Sequence, residues 1–434
     1  MTNKKKLTFI DLFAGCGGMS LGLENAGFQP IYVNELNPDA LETYMVNRRD
    51  EYRDLERFKS NDIKELVRNK NQGLKNLKKK FKKYGIDPNA IDLIVGGPPC
   101  QGYSGIGHRR LHAVDKLDIP ANKLYKDMAK VIEFFQPRIF LFENVKGLHS
   151  ARWRKDGDKG EIFKDVYKTF KKISGYNVRW DILYAKNYGV PQNRPRIFIV
   201  GFRDDISLSP EAILLGDLDE KPGAVEAKFL PEKTGGGYVH LEDLLGDLVD
   251  KKYKPGQDKT DIYPTKAKEG IQAKMRLKSR NARTVMQKGD NLLEHKYSNH
   301  SEKIQEKFKF MQDYNGKKSL PPKYETKKFS QRVLPARWNN GSGPWMTATS
   351  LPDDYVHYSQ PRSLTVREWA RIQTFPDWYQ FKGKRTTGGI KRAGRPGENI
   401  HHRELPKYTQ IGNAVPVKLA EAIGKHFVSI LKKK

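Results

Sequence analysis

Cysteine is nearly absent, with only Cys16 and Cys100 in 434 residues. Two thiols cannot build a disulfide scaffold or a cysteine-based zinc site, and so few fits a reducing compartment. Long apolar runs are missing too. No stretch approaches the ~18 residues that a membrane-spanning helix needs, so no membrane segment is expected. Lys4, Lys5 and Lys6 ahead of Leu7 to Phe13 imitate the start of a secretion signal. Asp11 breaks that apolar run and glycines come after it, so export is not expected. Acid is scarce relative to base: 51 Asp and Glu against 80 Lys and Arg leave a formal charge of +29. That exceeds what solubility requires, and a polyanion such as nucleic acid is the natural partner. A lysine-rich composition without such a role is the alternative. The apolar share, 37%, suffices for a sizeable core, and the length favours two or three domains.

What is present is organised around Ile91 to Ser104. An apolar run stops at Gly96-Gly97, Pro98 and Pro99 stiffen the next turn of chain, and Cys100 stands where strand becomes loop. Such a place suits a nucleophile, because a thiol is intrinsically very nucleophilic once deprotonated. Taken alone, Cys100 could equally be a small buried hydrophobe. Upstream, Leu7 to Ala14 reads as a strand, Gly15-Cys16-Gly17-Gly18 as a turn and Met19, Leu21 and Leu23 as the start of a helix. The next strand, Ile31 to Asn34, ends at Glu35. A glycine turn feeding a helix, with an acid after the second strand, is the pattern of a nucleoside-cofactor site; tight turns need glycine in any case. Asp62-Ile63 ends a possible third strand, where Asp62 could accept from an adenine amino group or simply cap a helix.

Leu66 to Tyr84 reads as an amphipathic helix with a basic outer face. Leu124 to Phe135 is expected to be a helix and Arg138 to Phe142 a strand leading into Glu143-Asn144-Val145. That places Glu143 at a strand's carboxyl end, where open α/β sheets bind ligands. A helix over Glu161 to Ile173 and strands at Trp180 to Ala185 and Arg196 to Phe202 complete a doubly wound, Rossmann-like α/β catalytic domain over residues 1–203. Residues 204–360 are polar, lysine-laden and irregular, and look like a separate smaller domain. There Arg332, Arg337, Trp338 and Trp345 suit contacts to bases and phosphates, although both tryptophans could be that module's own core. Residues 361–434 return to the first domain. Thr365 and Glu368 form a capping box, Leu364 and Trp369 a hydrophobic staple, and a last helix over Pro416 to Leu431 carries one apolar face.

In this order the motifs closely resemble those of the DNA cytosine-5 methyltransferases, S-adenosylmethionine-dependent enzymes typified by bacterial modification methylases, nearly end to end. Phe9 to Gly18 is similar to the family's cofactor loop, Gly97-Pro98-Pro99-Cys100-Gln101-Gly102-Tyr103-Ser104 to its nucleophile motif, and Glu143-Asn144-Val145 to its acid motif. Gln192, Arg194 and Arg196 match its Gln-x-Arg-x-Arg segment. Arg362 to Pro376 and Gln410 to Lys418 match its last two blocks, and the stretch between Arg203 and Pro361 fills the slot of its target recognition region. The resemblance implies Cys100, Glu143, Arg194 and Arg196 as catalytic residues. For S-adenosylmethionine and its product S-adenosylhomocysteine it implies Asp11, Phe13, Ala14, Gly15, Gly17, Gly18, Glu35, Asp62, Ile63, Pro98, Asn413 and Val415. For double-stranded DNA it implies Gln101, Ser104, Arg109, Arg110 and Gln192, beside Arg332 and Arg337; no metal is implied.

The implied reaction is methylation of C5 of a flipped-out cytosine, with the Cys100 thiolate adding to C6 and a protonated Glu143 at N3. A restriction–modification or orphan methylase, cytoplasmic, nucleoid-associated and monomeric, with a possible partner endonuclease, is the expectation. A tRNA methyltransferase of the same fold, a non-catalytic DNA-binding paralogue and a nicotinamide oxidoreductase are the rival readings. Residues 384–407 form an insertion whose Lys384, Arg385, Lys391, Arg392 and Arg395 suit a grip on DNA backbone, or a disordered basic loop.

Overall fold

The computed structural model describes residues 6–99, 120–206, 222–254, 261–314, 318–325, 331–339, 341–386 and 404–432. Seven strands form the main sheet: β1 (Leu7–Leu12), β2 (Phe28–Asn34), β3 (Lys59–Ser60), β4 (Leu93–Gly96), β5 (Ile139–Val145), β6 (Tyr176–Tyr184) and β7 (Pro195–Arg203). Their order is β3-β2-β1-β4-β5-β7-β6. All neighbours run parallel except those of β7, which is antiparallel to both β5 and β6. The link from Tyr184 to Pro195 is too short for a helical crossover, so the chain must turn back. The sheet is thus mixed.

β1 and β4 are buried because helices cover both faces. One face carries α1 (Gly18–Ala26), which packs with the terminal helix; the other carries α3 (Ile63–Lys83), α4 (Leu124–Phe135) and α5 (Glu161–Lys171). α2 (Pro38–Val46) lies beyond β2 and starts on the Asn37 side chain. The expected basic helix is present as α3, with Leu74, Leu77 and Phe81 buried, but it is broken at Arg68–Asn71. Asn69, Lys70 and Asn71 there take left-handed backbone angles. Gly73, two residues on, is the local mark of that break: a Cβ there would lie 2.3 Å from Glu65 O, so only glycine lets the two halves pack this closely.

In the irregular stretch, residues 224–230 pack on the α1 face of the sheet beside Phe202 and Phe427. Short helices α6 (Leu241–Leu245) and α7 (Ile271–Met275) and a longer α8 (Glu302–Tyr314) come next. A two-strand pair joins β8 (Arg332–Val333) to β9 (Tyr355–Val356). Leu241, Leu244, Leu245, Trp338, Met346 and Ala348 share one core with α9 (Val366–Ile372), Phe375 and Tyr379. A buried ion network reinforces the joint: Asp247 accepts from Arg276 at 2.7 Å and Arg371 at 2.6 Å, and Arg371 also bonds Asp377 at 2.6 Å.

The capping box starts α9 as its sequence predicts, with Thr365 accepting from the Glu368 N–H and Glu368 accepting from the Thr365 N–H. After α10 (Lys407–Asn413), α11 (Val417–Leu431) buries Leu419, Ile423 and Phe427 against the sheet domain. Among the described residues, no helix is long and apolar enough to cross a membrane.

Candidate active site

Sheet register gathers the motifs. Ser60, Asn34, Leu12, Gly96 and Phe142 pair in one continuous row across β3, β2, β1, β4 and β5. Adjacent strands lie about 4.8 Å apart, so the residues just past that row share one edge. They are Asp62, Glu35, the Gly15 turn, Gly97 to Pro99 and Glu143. The helices on the two faces diverge beside β1 and β4, which makes this edge the topological switch point where such sheets bind ligands.

Phe13 leaves β1 at φ 58, and Gly15 and Gly17 continue at φ 56 and 84. These angles turn the chain sharply enough for α1 to begin at Gly18, with no side chain capping its N-terminus. Glu35 is fixed by two backbone amides, accepting from Gly15 N–H on Oε2 and Asn37 N–H on Oε1, both at 2.8 Å. Burial pushes its pKa up, against those two bonds. A Cβ on Gly15 would meet nothing within 4 Å, whereas one on Gly18 would lie 2.5 Å from the Val415 carbonyl. The turn is therefore open on one side and closed by the α10–α11 corner on the other. Ala14 N–H bonds Asn34 O at 3.0 Å, and Asp62 accepts from Lys64 N–H at 2.9 Å, capping α3 just before Ile63. Asn413 is exposed on that corner and Val415 is buried. Asp11 is placed differently: 2% exposed, it accepts from Ser20 Oγ and faces the α1 interior. Burial pushes its pKa up to about 7.

Glu143 bonds Arg196 Nε at 2.7 Å through Oε1. A Cβ on Gly97 would lie 2.7 Å from the Glu143 Oε2, so only glycine admits the carboxyl against the nucleophile motif. Asn144 Nδ2 donates to Pro98 O at 3.1 Å. Sequence reasoning assigned Asn144 no role; a buried amide after a strand-end acid is the signal that could have given it one. Burial is the largest influence on Glu143 and raises its pKa, with Arg196 and Arg194 opposing. A carboxyl so buried holds its proton to higher pH than an exposed glutamate does.

Of the two cysteines, Cys16 lies in the described structure. Cys16 is 2% exposed, donates its thiol to Gln410 O at 3.4 Å, and burial pushes its pKa up to about 12. An inert, protonated thiol cannot serve as a nucleophile. Cys100, Gln101, Ser104, Arg109 and Arg110 lie outside the described residues.

The Gln-x-Arg-x-Arg segment divides. Arg196 reaches Glu143, whereas Arg194 is buried and donates to the carbonyls of Ala348 at 2.9 Å and Gly412 at 2.6 Å. Desolvation and Arg196 depress the pKa of Arg194. Gln192, read as a DNA contact, is 0% exposed and spends its amide on Ala348 N–H, Ile372 O and Gln373 Oε1. These two residues join β7 to the irregular stretch. Arg337 is exposed and paired with Glu242 and Asp243. Arg332 lies over the ring of Trp345, 5.1 Å from its centroid. Trp338 is core at 3% exposure, but Trp345 is 38% exposed. In the basic insertion, Lys384 pairs with Glu404, and Arg385 donates to Tyr297 O and Ser298 Oγ. Lys391, Arg392 and Arg395 lie outside the described residues. Among the described residues, no His, Cys, Asp and Glu side chains cluster to hold a metal ion.

The family model for C-5 cytosine-specific DNA methylase matches residues 7–429. The chain belongs to that family. A type II methyltransferase, M.DdeI of Desulfomicrobium norvegicum, is 29% identical over 96% of this chain and 88% of its own length. M.BspRI of Lysinibacillus sphaericus, also a type II methyltransferase, is 30% identical over 97% of this chain and 81% of its own. Among solved structures, a prophage-encoded chain described as a DNA modification methyltransferase (E. coli) superposes with a TM-score of 0.63. It is 24% identical and covers 98% of this chain and 100% of its own, which establishes the shared fold. As a C-5 cytosine-specific DNA methylase, the chain is an enzyme whose substrate is DNA.

Proposed function

We propose that this chain transfers a methyl group from S-adenosylmethionine to C5 of a cytosine flipped out of a specific double-stranded DNA sequence. Its biological setting is modification within a restriction–modification system, beside an endonuclease for the same site, or as an orphan methylase. The similarity to type II methyltransferases supports that setting. One observation carries the chemistry: the Glu143 carboxyl lies against the Gly97 backbone, three residues before Cys100.

Cytosine C5 is too weakly nucleophilic to attack a methyl sulfonium at a useful rate. Cys100 thiolate adds to C6, and the ring electrons move toward N3 and C5. Glu143 in its protonated form, which burial favours, donates to N3 and absorbs the charge that develops there. Arg196 holds Glu143 through Oε1 and is the residue assigned to the base's O2. Asn144 anchors Pro98, so the loop leaves β4 in one direction. The residues along the edge fit the cofactor. Glu35, its orientation set by two amides, has lone pairs left for ribose hydroxyls; Asp62 and Ile63 suit the adenine end, and the Gly15 turn and uncapped α1 N-terminus suit the amino-acid end. S-adenosylmethionine bound there supplies the methyl group that C5 takes up. Loss of the C5 proton then expels Cys100 and restores the ring. Residues 204–360 serve as the target recognition domain between catalytic segments 1–203 and 361–434.

Plasmid DNA incubated with the Cys100→Ala protein and S-adenosylmethionine should gain no 5-methylcytosine on bisulfite sequencing, while gel-shift binding persists. Methylation by that variant would overturn the assignment.

A further inference from the structure

We propose that Arg280, in the irregular stretch, is a positioning residue that fixes the Gly15–Gly18 turn from behind through Glu24 and Arg48. This rests on the assignment of that turn to S-adenosylmethionine. The path is continuous, and buried from Glu24 inward. Arg280 Nη2 donates to Glu24 Oε2, and its Nη1 donates to the Tyr52 hydroxyl at 3.0 Å and lies 3.5 Å from Glu51 Oε2. Glu24 Oε1 accepts from Arg48 Nε at 2.6 Å, and neither of those side chains is exposed. Arg48 Nη2 donates to Gly17 O at 3.2 Å, and its Nη1 to Tyr44 O at 2.9 Å and the Tyr379 hydroxyl at 3.0 Å. The Tyr379 hydroxyl donates in turn to Cys16 O at 2.5 Å.

Two consecutive carbonyls of the turn are thus pulled away from its open side. There is no slack behind them, because a Cβ on Gly17 would lie 2.8 Å from both Arg48 Nη1 and the Tyr379 hydroxyl. Glu24 is shared by two guanidiniums. With Arg280 gone, its buried Oε2 keeps only Arg48 Nη2, at 3.4 Å. The carboxylate then turns to take Arg48 with both oxygens and draws that guanidinium off Gly17 O. A loosened turn must be ordered again whenever cofactor binds, so the loss falls on affinity. Glu143 and Arg196 stand on β5 and β7 and are untouched.

Calorimetric titration of the full chain with S-adenosylhomocysteine tests this, paired with turnover on duplex DNA. Arg280→Met should raise the Kd about tenfold and raise KM for S-adenosylmethionine in step, with kcat at saturation held within about twofold. Arg280→Lys, which returns a charge to Glu24, should recover most of the affinity. A structural role alone would lower Tm and leave Kd in place. Glu35→Gln separates the two readings. If Glu35→Gln weakens binding and Arg280→Met does not, or if Arg280→Met lowers kcat with KM unchanged, the positioning role is overturned. If Glu35→Gln binds normally, the cofactor assignment falls first and takes this inference with it. Should Arg280→Met fail to fold, Arg280→Gln replaces it; with one neutral donor left for Glu24 in place of the guanidinium, Kd and KM should rise together by about threefold, and a Kd and KM equal to wild type overturn the role.

Discussion

A Cβ at Gly97 would stand 2.7 Å from Glu143 Oε2, closer than nonbonded atoms tolerate. Gly97→Ala therefore pushes aside a carboxyl tip rather than backbone, and the fold can absorb that shift while the pocket cannot. Misplacing a group that stabilises developing charge costs about a hundredfold or more in rate. Steady-state methylation should show that drop with Tm within a few degrees of wild type; near-native kcat would remove Glu143 from the site. Cys16 makes the opposite case. It sits inside the core with a protonated thiol, so Cys16→Ala should cost about 1 kcal/mol in denaturant unfolding and leave kcat within about twofold. A dead Cys16→Ala enzyme would contradict the separation of the two thiols.

Among the elements, α9 shows a local signal drawn into a larger one. Thr365→Ala removes the cap and should cost about 1 kcal/mol. Glu368 does more than complete the box, because its two oxygens also take Arg362 at 2.7 and 2.8 Å in full burial. Glu368→Ala strands a buried guanidinium and should cost about 3–5 kcal/mol. Urea melts of both variants distinguish these costs; equal losses would mean that Arg362 adds nothing. The box was legible because cap and partner lie three residues apart. So were β1, β4 and β5 and the edge that carries Glu35 and Glu143, whose strands end in glycine or an acid. What escaped has partners far along the chain. Gln192 binds Ala348 and Gln373, Arg194 binds Gly412, and Arg280 binds Glu24 256 residues away. An arginine's sequence neighbours do not say whether it meets a phosphate or a buried carbonyl. The break in α3 escaped for another reason, since its apolar residues keep helical spacing on both sides of Arg68–Asn71.

For the whole molecule, pH and salt probe different charges. His357 is buried, and desolvation with Arg362 beside it lowers its pKa to about 3. The unfolded chain binds that proton near pH 6.5, so wild-type stability is present above pH 6.5 and drains away as pH falls toward 4. His357→Asn keeps an acceptor for Ser359 N–H, which His357 Nδ1 now takes at 3.1 Å, and removes the titration. Between pH 7 and 4 the stability of wild type relative to that variant should fall by about 3 kcal/mol; a constant difference would mean that His357 titrates alike in the folded and unfolded chain.

Salt acts on the outside. A chain of +29 neutralises phosphates and releases counterions, so six to ten such contacts weaken DNA binding by about 10³–10⁵ between 50 and 200 mM salt. The cofactor edge, built from Glu35 and backbone amides, releases none, so S-adenosylhomocysteine affinity should stay within about twofold over the same range. Lys384 and Arg385 hold protein partners, so the expected phosphate grip of the basic insertion is tested at Lys391, Arg392 and Arg395, which lie outside the described residues. Replacing those three with alanine should reduce the slope of log K against log salt by about 2–3, with kcat at saturating DNA unchanged. An unaltered slope would assign the +29 to other surfaces and reduce the insertion to a solvated loop.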